Sequence, residues 1–246
     1  MTWILEHAKE YDMDPSHIYG TGDSAGAQIL GQYAAISSNE KYAGQFTFQI
    51  PKKNVFEAIV LNCGVYQVNY ECRRSDLVRM IAFEYLNLEN KNPEQITEEE
   101  YHSLYEQKID LFEFGKYVTS QFPDTLLVTS ETDFVKMHSL ELMRCLMEQN
   151  VNARLYMCVS KEHELNHVFN INLKLQEAER CNNEEMEFLN GIYKKEVTEW
   201  DELLGTSLLN QEVILEGAVH SIRNMGDVAF VILRRREGFF QTVVEN

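Results

Sequence analysis

An α/β layer fold with a parallel sheet, followed by a smaller all-β segment, is the fold class this chain predicts, on three observations. Short apolar strand-like runs alternate with helical periodicity up to about residue 182, the pattern of βαβ units. Within them, Phe56-Glu-Ala-Ile-Val-Leu-Asn62 is nearly all apolar, as suits a parallel strand covered on both faces. From about residue 207 the helical spacing gives way to three strand-like runs separated by turn residues, with no long helix between them.

Taken in order, Trp3, Ile4, Ala8 and Tyr11 fall at helical spacing, and Asp14-Pro15 stops that helix before a strand at His17-Ile-Tyr19. Ala25 to Ala35 reads as a small-residue helix able to approach a sheet closely, and the apolar strand Phe56 to Asn62 follows a polar loop. Residues 65 to 116 form a helical insertion, with helices expected at Leu77 to Leu86 and Thr97 to Phe112 around the polar Asn87-to-Pro93 stretch. That insertion fits a lid over a pocket and an ordinary helical excursion equally. A third strand, Thr125 to Thr129, leads into Ser130-Glu-Thr-Asp133. The next helix, 136 to 149, carries Met137, Leu140, Met143, Leu146 and Met147 on an apolar side read as core, and a fourth strand, Ala153 to Val159, precedes His163, His167 and another helix. The boundary between the two parts is placed in the charged stretch Cys181 to Glu187, read as poor in helix. The last three strands are expected at Glu212 to Val219, Val228 to Leu233 and Phe239 to Val244.

Bulk composition bounds the function. A chain of 246 residues with 44% hydrophobic and 11% aromatic content can bury a sizeable core, which excludes wholesale disorder. A net charge of −17 argues against indiscriminate binding to polyanions, although a local basic cluster can override the average. Cysteines 63, 72, 145, 158 and 181 are odd in number and lack Cys-x-x-Cys or Cys/His ligand spacing, so neither a disulfide framework nor a zinc site is expected. No cofactor is expected either. The amino terminus lacks the basic stretch and apolar core of a signal peptide, and no 18-residue apolar run occurs. The expectation is a soluble cytoplasmic chain with no membrane contact.

Chemistry is concentrated at Tyr19-Gly-Thr-Gly-Asp-Ser-Ala-Gly-Ala27, where Gly22-x-Ser24-x-Gly26 follows a short extended run. A serine on a sharp strand-to-helix turn has strained dihedrals, and residues two positions to either side are expected to be tiny so that the turn can close. Such a nucleophile needs a base, an acid to orient the base, and donors for an oxyanion. The order serine, acid, histidine along the chain is the one used on α/β-hydrolase sheets. Asp133 and His167 satisfy it, each just after an expected strand, and Ala25 N–H at the start of the helix is positioned as an oxyanion donor. On spacing alone His163 rivals His167, and Glu131 and Asp124 rival Asp133.

Motifs separate these rivals. Gly22-Asp23-Ser24-Ala25-Gly26 resembles the GDSAG elbow of the hormone-sensitive-lipase-like branch of α/β-hydrolases, and Asp12 to Tyr19 resembles the approach to it. Leu127-Val-Thr-Ser-Glu-Thr-Asp-Phe-Val135 resembles that family's acid loop, which implies Asp133 as the acid. Asn166-His-Val-Phe169 resembles its histidine loop, which implies His167, with Val168 in place of the usual glycine. The resemblance spans residues 1 to 182 and implies a serine carboxylic-ester hydrolase acting on small acyl esters through an acyl-enzyme. That family also carries a His-Gly-Gly oxyanion motif and further strands upstream of the elbow, and nothing before Ser24 matches them. An incomplete hydrolase sheet with weak or no esterase activity is therefore expected.

The final forty residues combine alternating strands with Arg223, Arg234, Arg235 and Arg236, while Phe230 and Gln241 add stacking and base-edge hydrogen bonding. Met186 to Lys195, Gln211 to Arg223, Val228 to Arg234 and Arg236 to Val244 resemble the amino-terminal OB-fold of aspartyl-tRNA synthetases. This implies a partial OB-fold over 186–246, in which Phe230 stacks on an anticodon base, Gln241 hydrogen-bonds it, Arg223 contacts the backbone and residues 207–246 meet tRNA. Ala218 stands where many members have tryptophan. A synthetase catalytic domain has no counterpart here, and Met186 resembles a natural start, so a fusion of two truncated reading frames is expected.

Overall fold

A four-stranded parallel sheet carries the first part of the chain. The computed structural model describes residues 1–85, 97–100, 102–103, 106–193, 213, 215, 217–226, 228–235 and 238–245. They fall into two units, Met1–Leu189 and Asn190–Asn246. The first unit opens with helix α1 (Thr2–His7), then β1 (Tyr19–Asp23), α2 (Ala25–Ser38) and the short α3 (Glu40–Ala43). It continues through β2 (Ala58–Asn62), α4 (Val68–Arg74), α5 (Asp76–Tyr85), α6 (Glu98–Glu100), α7 (Glu106–Asp110), β3 (Asp124–Ser130), α8 (Lys136–Glu148), β4 (Ala153–Cys158) and α9 (Gln176–Tyr193). The strands are hydrogen-bonded in the order β1-β2-β3-β4, all parallel.

Burial follows the sequence pattern. All five residues of β2 are buried, as are Thr125 to Ser130 of β3, because helices cover the sheet and apolar runs are what such strands require. In α2 the small side chains of Ala27, Ala34 and Ala35 are fully buried, and they join Ile59, Leu61, Phe114, Leu127 and Leu146 in one core cluster. Tyr42 is also fully buried; its ring stacks on Tyr117 with centroids 3.9 Å apart, and its hydroxyl, donating to the Leu111 carbonyl, accepts from Gln32 Nε2 at 3.1 Å. Register then fixes the site: Asp23 pairs with Asn62, Asn62 with Val128, and Ser130 with Cys158. The carboxyl ends of β1 and β2 are thus level, those of β3 and β4 run two residues further, and the loops that follow emerge along one edge.

Several local expectations change. β1 runs from Tyr19 to Asp23 rather than His17 to Tyr19, because the ladder with β2 continues to the elbow itself. The stretch Cys181 to Glu187 is helix, inside α9, where Ala178, Cys181 and Phe188 form a buried stripe that also carries the half-buried Glu185. The unit boundary falls after Leu189, in the last turns of that helix. Within the expected helix over Thr97 to Phe112 the described residues include α6 and α7, while positions 101, 104 and 105, Leu86 and the Asn87-to-Pro93 stretch lie outside the described residues. In α8 the core stripe is His138, Ser139, Leu142 and Leu146, leaving Met137, Leu140 and Met147 exposed.

In the second unit β5 (Ala218–Asn224), β6 (Val228–Arg234) and β7 (Phe239–Glu245) form an antiparallel sheet in that order. Turns close where expected: Met225 N–H donates to the Val228 carbonyl beside Gly226 at φ +93°, and Arg235 N–H donates to the Gly238 carbonyl, both at 2.9 Å. The first of these strands extends through Asn224, beyond the expected Val219, while its expected start at Glu212, with positions 214, 216 and Arg236, lies outside the described residues.

Candidate active site

Ser24 is the N-cap of α2, with φ 53° and ψ −116°, a conformation side-chain-bearing residues rarely adopt. Its N–H extends the sheet ladder by donating to the Asn62 carbonyl at 2.8 Å, so the turn is fixed on the strand side. A Cβ on Gly22 would stand 2.6 Å from the Gly26 carbonyl oxygen and 2.9 Å from Ala27 N, which makes glycine obligatory there. A Cβ on Gly26 meets nothing within 4 Å among the described residues. The expected need for a tiny residue therefore holds at Gly22 and not at Gly26.

Three of the residues expected at the site converge. His167 Nδ1 lies 2.9 Å from Asp133 Oδ1, and its Nε2 lies 2.8 Å from Ser24 Oγ. A carboxylate can only accept, so Nδ1 carries the proton and Nε2 is left to accept from the Ser24 hydroxyl. Asp133 is 2% exposed. Burial alone pushes its carboxyl pKa up, but hydrogen bonds from His167, Cys63 and the Val135 N–H outweigh burial and hold it below the usual carboxylate range. Thr129 Oγ1 donates to its other oxygen at 3.2 Å. Cys63 Sγ, a carboxylate oxygen of Asp133 and a ring nitrogen of His167 all lie within 4.8 Å of one another. Burial, reinforced by Asp133, raises the Cys63 thiol pKa, so the sulfur keeps its proton and serves the carboxylate as a donor.

The rivals sit elsewhere. His163 is exposed, and its backbone N–H donates to Ser160 Oγ at 3.1 Å. Asp124 begins β3, at the end of the strand away from Ser130, and accepts from Asn152 Nδ2 at 2.5 Å. Glu131 uses its carbonyl to receive Lys136 Nζ. Sequence reasoning missed several contributors. Phe134 stacks obliquely on His167 with ring centroids 4.7 Å apart, and Asn170 donates from Nδ2 to Asp23 Oδ1 at 2.6 Å. His138, 2% exposed, accepts at Nδ1 from the Tyr66 and Gln67 N–H groups (3.1 and 3.3 Å) and bonds Glu71 Oε1 through Nε2 at 3.0 Å. Burial lowers its pKa against the pull of Glu71, consistent with a neutral ring making those bonds. No periodicity marks any of these residues, since their partners are distant in sequence.

Ser24 and His167 open into an apolar hollow of about 420 Å³, walled by Ile29, Phe112 and Phe134 and, from the insertion, Val65, Val68, Leu77, Val78, Ile81 and Ala82. Ala25 lies at its mouth beside Ser24. Its N–H is one of the first four of α2, which have no carbonyl four residues back within the helix. In the second unit, Arg223 pairs with Phe230 and Ile232 with Gln241. Arg223, Phe230 and Gln241 consequently line one hollow of about 350 Å³ with Ser221, Met225 and Ile232.

A parallel sheet with a strained serine elbow at its carboxyl edge defines an α/β-hydrolase. Residues 1–167 match a family model described as alpha/beta hydrolase fold, and the chain belongs to that family. Among solved structures it resembles esterase B from Lactobacillus rhamnosis, with a TM-score of 0.61 and 20% identity over 78% of this chain and 58% of that one. It also resembles a fungal esterase from Rhizomucor miehei (TM-score 0.52, 18% identity, 79% of this chain and 57% of that one). A third similar structure is esterase LipW from Mycobacterium marinum (TM-score 0.53, 17% identity, 78% of this chain and 55% of that one). The chain thus spans less than two thirds of the length of these structures. A stretch of 47 residues, 19% of the chain, is 53% identical to aspartate–tRNA(Asp/Asn) ligase of Methanococcus vannielii, of which it covers 11%. No described helix is long and apolar enough to cross a membrane.

Proposed function

We propose that the first unit is a serine carboxylic-ester hydrolase for small esters with an apolar chain. The observation that carries this reading is the hydrogen-bonded series Asp133, His167, Ser24, with links of 2.9 and 2.8 Å, ending at an apolar hollow. In the proposed reaction Ser24 Oγ attacks the ester carbonyl carbon while His167 Nε2 takes its proton, and Asp133 steadies the resulting imidazolium. The Ala25 N–H faces the developing oxyanion, and the hollow holds the apolar chain. Collapse of the tetrahedral adduct expels the alcohol, which receives the proton from Nε2. Water activated by the same nitrogen then attacks the acyl-enzyme, releasing the acid and restoring Ser24. Supporting this reading are the family match and the esterase resemblances.

A fluorophosphonate probe is expected to label the chain at Ser24, with slow turnover of p-nitrophenyl butyrate. Ser24→Ala is expected to abolish both, and His167→Ala to reduce the labelling rate by at least about 1000-fold. Labelling that survives Ser24→Ala would sink the proposal.

A second reading concerns the other unit alone, favoured by the shared hollow of Arg223, Phe230 and Gln241. A base stacking on Phe230, with Gln241 at its edge and Arg223 at a phosphate, is the contact proposed, on tRNA by analogy with the ligases. Filter binding should show salt-sensitive tRNA retention that Phe230→Ala weakens by about 1–3 kcal/mol. Retention unaffected by that change would count against the reading.

A further inference from the structure

The bond from His167 to Ser24 joins positions 143 residues apart, so the histidine loop has to be held over the elbow by contacts of its own. On the amino-terminal flank of His167, the Leu165 carbonyl accepts from Ser130 Oγ at 2.5 Å and Thr132 Oγ1 at 2.7 Å. Those bonds tie the loop to the acid side of the site. On the carboxyl-terminal flank stands Asn170, 5% exposed, whose Nδ2 donates to Asp23 Oδ1 at 2.6 Å. Asp23 immediately precedes Ser24. The Asn170 backbone carbonyl accepts from Asn182 Nδ2 of α9 at 3.2 Å, and neighbouring Phe169 is 3% exposed, so Asn170 is itself well seated.

We infer that Asn170 is a positioning residue that, through its bond to Asp23, sets the approach of His167 Nε2 to Ser24 Oγ. A loop pinned on one flank can pivot, whereas one pinned on both has its ring height above the elbow fixed. Asn170 is not among the residues that line the apolar hollow, and acts through Asp23 on one side and the loop on the other. The bond is a charge-assisted one in which an amide donates to a carboxylate, so its direction can be reversed by exchanging the two residue types. A misplacement of about 1 Å in such a constellation costs on the order of 100-fold in rate. The inference rests on the proposed roles of Ser24 and His167.

The test uses the full chain with Asn170→Leu, Asn170→Asp, and Asp23→Asn combined with Asn170→Asp. The single changes are expected to slow fluorophosphonate labelling of Ser24 and kcat by about 10- to 100-fold, with KM moved by less than about threefold. The combined change, which restores an amide–carboxylate pair of reversed direction, is expected to recover most of the rate. Unchanged rates in the single variants, or a folded combined variant with no recovery, would overturn the inference. A readout independent of turnover is the His167 ring ¹⁵N resonance. Ser24→Ala should shift it in the parent chain and leave it almost unmoved in the Asn170→Leu background; equal shifts in both backgrounds would equally overturn the inference. If the parent neither labels nor hydrolyses, the hydrolase reading falls, while the resonance comparison still decides the role of Asn170.

Discussion

Val168 sits in the left-handed region, φ 53° and ψ 39°, where a β-branched side chain crowds its own backbone. The resemblance to the family's histidine loop places a glycine at this position, and the dihedrals supply the reason. Holding valine there costs on the order of 1–3 kcal/mol, and glycine removes that cost less about 0.5–1 kcal/mol of extra chain entropy. Val168→Gly is therefore expected to raise the urea midpoint, corresponding to about 1 kcal/mol; a lowered midpoint would show that the valine methyls contribute more than the strain removes. The elbow shows how much a residue pattern reveals. Gly22 was legible because its Cβ would strike backbone, whereas Gly26 fits the same motif with open space around it.

At the scale of elements, α9 joins the sheet edge through buried polar groups. Glu185 is a half-buried acid on this helix, bonded by Cys181 Sγ at 3.7 Å and facing Asn62 and Asp23. Burial, with a further push from Asp23, raises its pKa above 4.5, while bonds from Asn62 and Cys181 oppose the rise. Because the folded value is the higher one, the native state binds more protons than the unfolded chain between 4.5 and that raised value. This contribution to stability is full below 4.5 and is lost as pH rises through the folded value. Glu185→Gln should flatten the dependence, making the variant more stable than the parent at pH about 8, with the difference shrinking toward pH about 5 in urea titrations. Parallel stability curves for the two proteins would refute this. A helix after His167 was legible, but its continuation through Cys181 to Glu187 was not, because the charged run masks a stripe of Ala178, Cys181 and Phe188 that becomes apparent only once the sheet they cover is in place.

For the whole molecule, charge is the property most directly set by composition. With a net charge of −17 at pH 7 and an isoelectric point near 4.8, self-repulsion opposes association of copies at neutral pH and vanishes in mild acid. Light scattering of the full chain is expected to peak near pH 4.8 and to stay low at pH 7; a maximum at neutral pH would contradict it. The same excess of acid means that any nucleic-acid contact in the second unit has to come from the local set around Arg223 rather than from the average field.

The amino-acid sequence by itself determined the alternation of strands and helices, the elbow at Ser24, and the change to antiparallel strands near the end, because each is written in local spacing. Tertiary structure decided what spacing cannot express. Parallel register brings Asp133 and His167 to Ser24 and leaves His163 exposed and Asp124 at the far end of its strand. The same register makes Asn170 and Asp23 partners, although 146 residues of chain lie between them and neither position announces the other. The physical reason is that hydrogen bonds and burial act across space, and a side chain's partner depends on which loops the sheet places side by side.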